Sequence, residues 1–78
     1  MTLKIISADA VLFDGTVSAV TMPGSMGEFT VLRNHASLLA TLAAGNIRYT
    51  DESGVEQTVA IPGGIADVDD NKVSVCVY

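Results

Sequence analysis

The sequence predicts an all-β domain, a small β-sandwich or barrel of about eight to ten short strands. Short runs rich in β-branched residues recur along its 78 residues, and clusters of Gly, Asp, Asn, Ser and Pro separate them. The last run, Lys72 to Val77, alternates Val73, Val75 and Val77 with Ser74 and Cys76, the period of two of a strand buried on one face. No long amphipathic helix, internal repeat, low-complexity tract or heptad pattern interrupts this design, and residues 1–78 read as a single domain.

The first strand covers about Leu3 to Ser7. The second runs from about Val11 to Met22 and contains Asp14-Gly15, which predicts a bulge or bend, because Gly inside a strand run marks one. Pro23-Gly24-Ser25 reads as a turn. Glu28 to Leu32 forms the third strand, and the polar Arg33-Asn34-His35 is a loop. Ala36 to Ala44 is rich in Ala and Leu, with Leu38, Leu39 and Leu42 at helical spacing before Gly45. It is assigned as a strand, since it would otherwise be a lone short helix and tertiary pairing overrides propensity. Asn46 to Thr50 and Glu56 to Ile61 flank Asp51-Glu52-Ser53-Gly54, a hairpin signal. Pro62-Gly63 opens a turn before a strand at Gly64 to Asp69, and Asp70-Asn71 turns the chain into Lys72 to Val77.

Composition narrows the function. The net charge is −5, and the four basic residues, Lys4, Arg33, Arg48 and Lys72, are scattered. Grip on nucleic acid or anionic lipid needs clustered Lys or Arg, so neither is expected. Cys76 is single, which rules out an internal disulfide framework, fits a reducing compartment and makes it a small sheet or core residue. The stretch Leu3 to Val20 carries Lys4, Asp9, Asp14 and Gly15 and resembles neither a signal segment nor a membrane span, so membrane contact is expected only through partners.

Catalytic constellations are not legible. His35 is the sole histidine and no Gly-x-Ser-x-Gly elbow accompanies it, which favours a loop or capping role over nucleophilic catalysis. Asp67, Asp69 and Asn71 match the opening ligands of a calcium loop, but Lys72 stands where Gly is required and Tyr78 where the distal carboxylate belongs. One His and one Cys in distant segments do not make a zinc site. Gly24-Ser25-Met26-Gly27 lacks the Lys-Ser/Thr of a P-loop, and Glu28 beside it repels phosphate. No catalytic, cofactor-binding or metal-binding residue is therefore assigned, and no cofactor is expected.

Gly24 to Leu39 reads better as a docking surface. Turn glycines allow close backbone approach, and Met26 and Phe29, flanking Glu28, are side-chain types that suit interfaces. The plainer alternative has Phe29 and Leu32 in the core and Met26 on an ordinary surface. On these grounds a generic small β-sandwich module binding protein or carbohydrate stays open.

In order along the chain come Leu3 to Ser7, Val11-Leu12-Phe13-Asp14-Gly15-Thr16-Val17, Pro23-Gly24-Ser25-Met26-Gly27-Glu28-Phe29, His35-Ala36-Ser37-Leu38-Leu39, Gly45-Asn46-Ile47-Arg48, Gly63-Gly64-Ile65 and the closing Lys72 to Val77. This series resembles the N-terminal domain of the epsilon subunit of the rotary ATP synthase over essentially the whole chain. The resemblance implies a flattened β-sandwich at the foot of the central stalk, present once per complex, held against the gamma subunit and the c ring. It implies a non-catalytic rotor part that couples proton-driven ring rotation to gamma and so to ATP synthesis. The location it implies is the cytoplasmic face of a bacterial inner membrane or the organellar equivalent. Partner contact would fall on Met26, Glu28, Phe29, Arg33 and His35, with Glu28 at the ring-facing turn. The family usually has Pro-x-His-Ala-Pro; here Arg33 and Ser37 stand at or near the proline places, which puts that loop's stiffness in question. Typical members continue into a C-terminal helical hairpin that restrains hydrolysis, and such an inhibitory arm is not expected within these residues. Trimming the last residues is expected to disturb folding, because Val73, Val75 and Val77 fill the core, and not to release a latent ATPase. A large gain in ATP hydrolysis on trimming contradicts this.

Overall fold

The longest strand, β2 (Val11–Gly24), is fourteen residues long, and both layers of the molecule are built on it. The computed structural model describes residues 1–78. The other strands are β1 (Thr2–Ile6), β3 (Gly27–Leu32), β4 (Leu38–Leu42), β5 (Gly45–Asp51), β6 (Glu56–Ile61), β7 (Gly64–Asp69) and β8 (Lys72–Val77). The first half of β2 pairs with β1, from Thr2↔Thr16 to Ile5↔Phe13. Its second half lies between β3, from Ala19↔Leu32 to Gly24↔Gly27, and β5, where Thr21 faces Arg48. β6 extends β5. On the other side β1 pairs in parallel with β8, and β8, β7 and β4 follow antiparallel. β4 then returns to β2 through Gly24↔Leu42. One layer is thus β3-β2-β5-β6, and the other, β2-β1-β8-β7-β4, closes on β2 at both ends. A register shift between Val17 and Ala19 marks the handover of β2 from one layer to the other, as expected of a bulge, which bends and twists a strand locally.

Alternation along the strands builds the core. Leu3 and Ile5 of β1 meet Val73 and Val75 of β8 and Ala66 and Val68 of β7 from one layer. Val20, Met22, Val31, Ile47 and Tyr49 come from the other. No polar side chain is buried apart from the Tyr49 ring system, so the interior carries no unpaired polar atom. Phe13 packs on Tyr49 with ring centroids 4.2 Å apart and planes tilted by 35°.

The strand assigned across residues 36–44 is present as β4, trimmed to Leu38–Leu42. Five ladder pairs with β7, Leu38↔Val68 to Leu42↔Gly64, outweigh its helical propensity. Two local expectations need correction. Gly15 makes no bend: it pairs regularly with Leu3, and the Phe13 ring covers it, so that a Cβ there would stand 2.9 Å from Phe13 Cζ. The turn after β2 is only Ser25-Met26, because Pro23 and Gly24 still belong to the ladder. Cys76, expected as a small sheet or core residue, is a sheet residue that faces outward on β8. The Asp70-Asn71 turn is present, with φ of 50° and 59°, the pair of positive values of a type I′ hairpin.

Ile5 is fully buried, and Ile5→Ala is expected to destabilise the domain by about 2–5 kcal/mol, read by chemical denaturation; a loss under about 1 kcal/mol would contradict its place in the core. Burial, with the Asp51 carboxylate adding to it, raises the Tyr49 phenol above its ordinary value. The folded state therefore holds that proton more tightly than the unfolded chain. The associated stability is complete below about pH 10 and is lost as the pH rises through the folded value. Tyr49→Phe is expected to flatten this alkaline decline, and an unchanged decline counts against the assignment.

Candidate functional site

The β2–β3 hairpin tip is held by backbone before any side chain is considered. Gly24↔Gly27 is its last ladder pair, leaving Ser25 and Met26 as the loop. Gly27 has φ of +130°, which strains any residue with a Cβ. At Gly24 a Cβ would stand 2.5 Å from the Gly27 carbonyl oxygen and 2.9 Å from the Phe29 ring. Two further bonds fasten the tip to the end of β4: Ser25 N–H donates to the Thr41 carbonyl at 2.9 Å, and Ala43 N–H to the Pro23 carbonyl at 2.8 Å.

On this rigid tip the Met26 side chain is fully exposed and Glu28 points into solvent, whereas Phe29 is half-buried and packs on the core. Phe29 shares the inward face with Val31, and Leu32 faces outward at 57% exposure, so of the two residues considered for the core only Phe29 turns toward it. Met26, Phe29, Leu39, Ala40 and Thr41 rim a shallow hollow of about 250 Å³ beside the tip. Leu39 stands 74% exposed on β4.

Glu28 is not a free charge. Its Oε1 accepts from Arg48 Nη2 at 2.9 Å, an ion pair that runs from β3 to β5 across β2. The Thr21 and Thr30 hydroxyls lie 2.8 Å apart in the neighbouring row. The outer face here is thus a flat polar floor with one acid and one base locked together. Both ends of the pair are open to water, so it contributes little to stability. It sets the Glu28 carboxylate beside the Arg48 guanidinium in this structure.

Arg33 and His35 lie past the opposite end of β3, with six residues of strand, roughly 20 Å, between them and the tip. His35 Nδ1 is 2.7 Å from the Ala36 carbonyl. A carbonyl only accepts, so the proton of a neutral ring sits on Nδ1 and Nε2 keeps its lone pair. The structure therefore gathers Met26, Glu28 and Phe29 at one end and leaves Arg33 and His35 at the other. It adds Leu39, Thr41 and Arg48 to the tip. Leu39 lies at the end of the stretch read as a docking surface; Arg48 had no sequence signal, since only the pairing of β2 with β3 and β5 brings it to Glu28.

The family model for the β-sandwich domain of the ATP synthase delta/epsilon chain matches residues 1–78. The chain belongs to the ATP synthase delta/epsilon family. It is 42% identical over 73 residues to the ATP synthase epsilon chain of Desulfatibacillum aliphaticivorans, covering 94% of this chain and 52% of that protein. It is 45% identical over 71 residues to the epsilon chain of Campylobacter concisus, covering 91% and 55%. The chain thus spans about half the length of these curated relatives of the family. Among solved structures it superposes with a TM-score of 0.89 and 28% identity on a chain of the Euglena gracilis mitochondrial ATP synthase, seen by cryo-EM with its c ring, covering 96% of this chain and 48% of that one. A chain from the central stalk and c ring of the Tetrahymena thermophila enzyme shares the fold at 18% identity and a TM-score of 0.79, covering 99% of this chain and 62% of that one.

Arg48→Ala is expected to change stability by no more than about 1 kcal/mol, whereas Gly27→Ala, at φ of +130°, is expected to cost about 1–3 kcal/mol. Thermal denaturation of both variants checks this, and the reverse order would reject the account of the tip.

Proposed function

We propose that this chain is the rotor-coupling sandwich of an ATP synthase epsilon subunit, a non-catalytic part held between gamma and the c ring at the membrane face of the enzyme. Family membership and the described surroundings of the solved relatives support the assembly. The observation that carries the site is a fully exposed Met26 beside an oriented acid, Glu28, on a tip pinned to β4 by two backbone bonds.

Torque passes only through a body that does not yield. A packed interior deforms little, and the layer that closes on β2 at both ends leaves few ways to shear. The tip meets the polar loops of the ring: Met26 and Leu39 supply apolar contact around the hollow, Phe29 backs it, and Glu28 supplies charge complementarity that sets register more than affinity. Arg33 and His35 form a second contact stretch toward gamma and the ring. One copy serves one rotor, and the membrane is reached through the ring. A free-standing protein- or carbohydrate-binding module has no support in the family match.

In the assembled enzyme, Glu28→Cys is expected to cross-link to a Cys placed in the ring loop, and the chain to co-purify with gamma. Absence of any adduct with a fully assembled rotor rejects the placement of the tip; failure to co-purify with gamma rejects the coupling role.

A further inference from the structure

The segment joining β3 to β4 carries Arg33 and His35, and it lacks the prolines that would stiffen it. The structure shows another restraint. Asn34 N–H donates to Asn71 Oδ1 at 2.7 Å, and Asn71 Nδ2 donates back to Asn34 Oδ1 at 3.1 Å. Ser37 Oγ donates to Asp69 Oδ1 at 2.6 Å. The Asn71 carbonyl in turn accepts from Thr2 N–H at 3.0 Å, at the start of β1. Residues separated by 37 positions in the chain are thus joined by two reciprocal bonds.

The backbone makes this geometry available. Asn34 has φ of 63° and Asn71 of 59°, the left-handed region that Asn tolerates better than most residues. In that conformation the two short amides face each other across the gap between the loop and the β7–β8 turn. The turn end of this clasp is itself fixed, because Asp69↔Lys72 closes the hairpin. Arg33 and His35 flank Asn34 directly, so whatever holds Asn34 holds them.

The geometry points to a latch: Asn34, Ser37, Asp69 and Asn71 lock the β3–β4 loop to the β7–β8 turn and present Arg33 and His35 as a preformed contact surface. These four are positioning residues. The choice of partner rests on the coupling role proposed above; the latch itself rests on the bonds just described. A surface ordered before contact loses less freedom on association, so its role shows in binding as well as in local order.

Glycine separates the latch from the turn. Asn71→Gly and Asn34→Gly keep a backbone suited to positive φ while deleting one amide. Asn71→Asp retains the oxygen that accepts from Asn34 N–H and serves as the conservative variant. The test is amide hydrogen exchange by NMR on the full 78-residue chain, with association rates measured on a gamma–c-ring subcomplex. In Asn71→Gly the Asn34 amide is expected to exchange on the order of tenfold faster, while amides of Ile5 and Val75 keep their protection. Asn71→Asp is expected to restore most of the protection at Asn34. The double variant is expected to add little to either single one, since both remove the same pair. Association is expected to slow several-fold in the glycine variants.

Unchanged exchange at Asn34 in Asn71→Gly overturns the latch. So does faster exchange spread evenly over the sheet, which would mark a general loss of stability. A loosened loop that associates at the wild-type rate overturns the positioning role. A wild-type chain that does not bind the subcomplex at all counts against the coupling proposal, and the exchange data then decide the latch alone.

Discussion

The structure depends on one strand serving two layers. β2 leaves β1 and enters the space between β3 and β5 at the register shift between Val17 and Ala19. Without that handover the layers would be separate sheets of four strands each, with exposed edges and no common frame. With it, Val17, Val20 and Met22 lie in one continuous interior together with Leu3 and Ile5. The far end of β2 reaches β4 at Gly24↔Leu42, so the hairpin tip is anchored by the same strand that organises the core. Placement of Met26 and Glu28 thus follows from the β2 ladder together with the glycine-bounded turn at its end.

The packed interior and the solvent-facing surface come from different sides of the same strands. On β3 the inward residues are Phe29 and Val31, and the outward ones Glu28, Thr30 and Leu32. On β5 the inward Ile47 and Tyr49 alternate with the outward Arg48. A period of two gives each strand both tasks, and the cross-strand register then decides which outward groups meet. Glu28 and Arg48 meet in this way, and so do the Thr21 and Thr30 hydroxyls.

Much of the fold was legible in the residues. Val73, Val75 and Val77 announced a half-buried strand, and Asp70-Asn71 announced its turn. Even the Ala- and Leu-rich segment was read correctly as a strand, on the ground that pairing outweighs propensity. What the sequence hid was long-range. Gly15 looked like a bend because a Gly has no side chain; it is there because Phe13 lies over it on the way to Tyr49. Two of the residues predicted for partner contact, Arg33 and His35, belong to the far end of β3, because six residues of extended chain carry them away from the tip. The Arg48 partner of Glu28 was invisible, since it depends on two ladders formed by segments apart in the chain.

Apart from the Tyr49 hydroxyl, the interior contains only aliphatic, aromatic and thioether side chains, with no network of buried side-chain hydrogen bonds to preserve. Specification of the backbone instead lies in a few conformational pivots, among them Gly27, Gly63, Asp70 and Asn71. Most of these pivots lie in turns at the ends of the strands and not in the packed interior. The Thr21 and Thr30 hydroxyls, the Glu28–Arg48 pair and the Cys76 thiol lie on solvent-facing rows, outside the contact between the layers. In a scaffold organised this way the outward rows are free to carry recognition chemistry while the inward rows keep the shape.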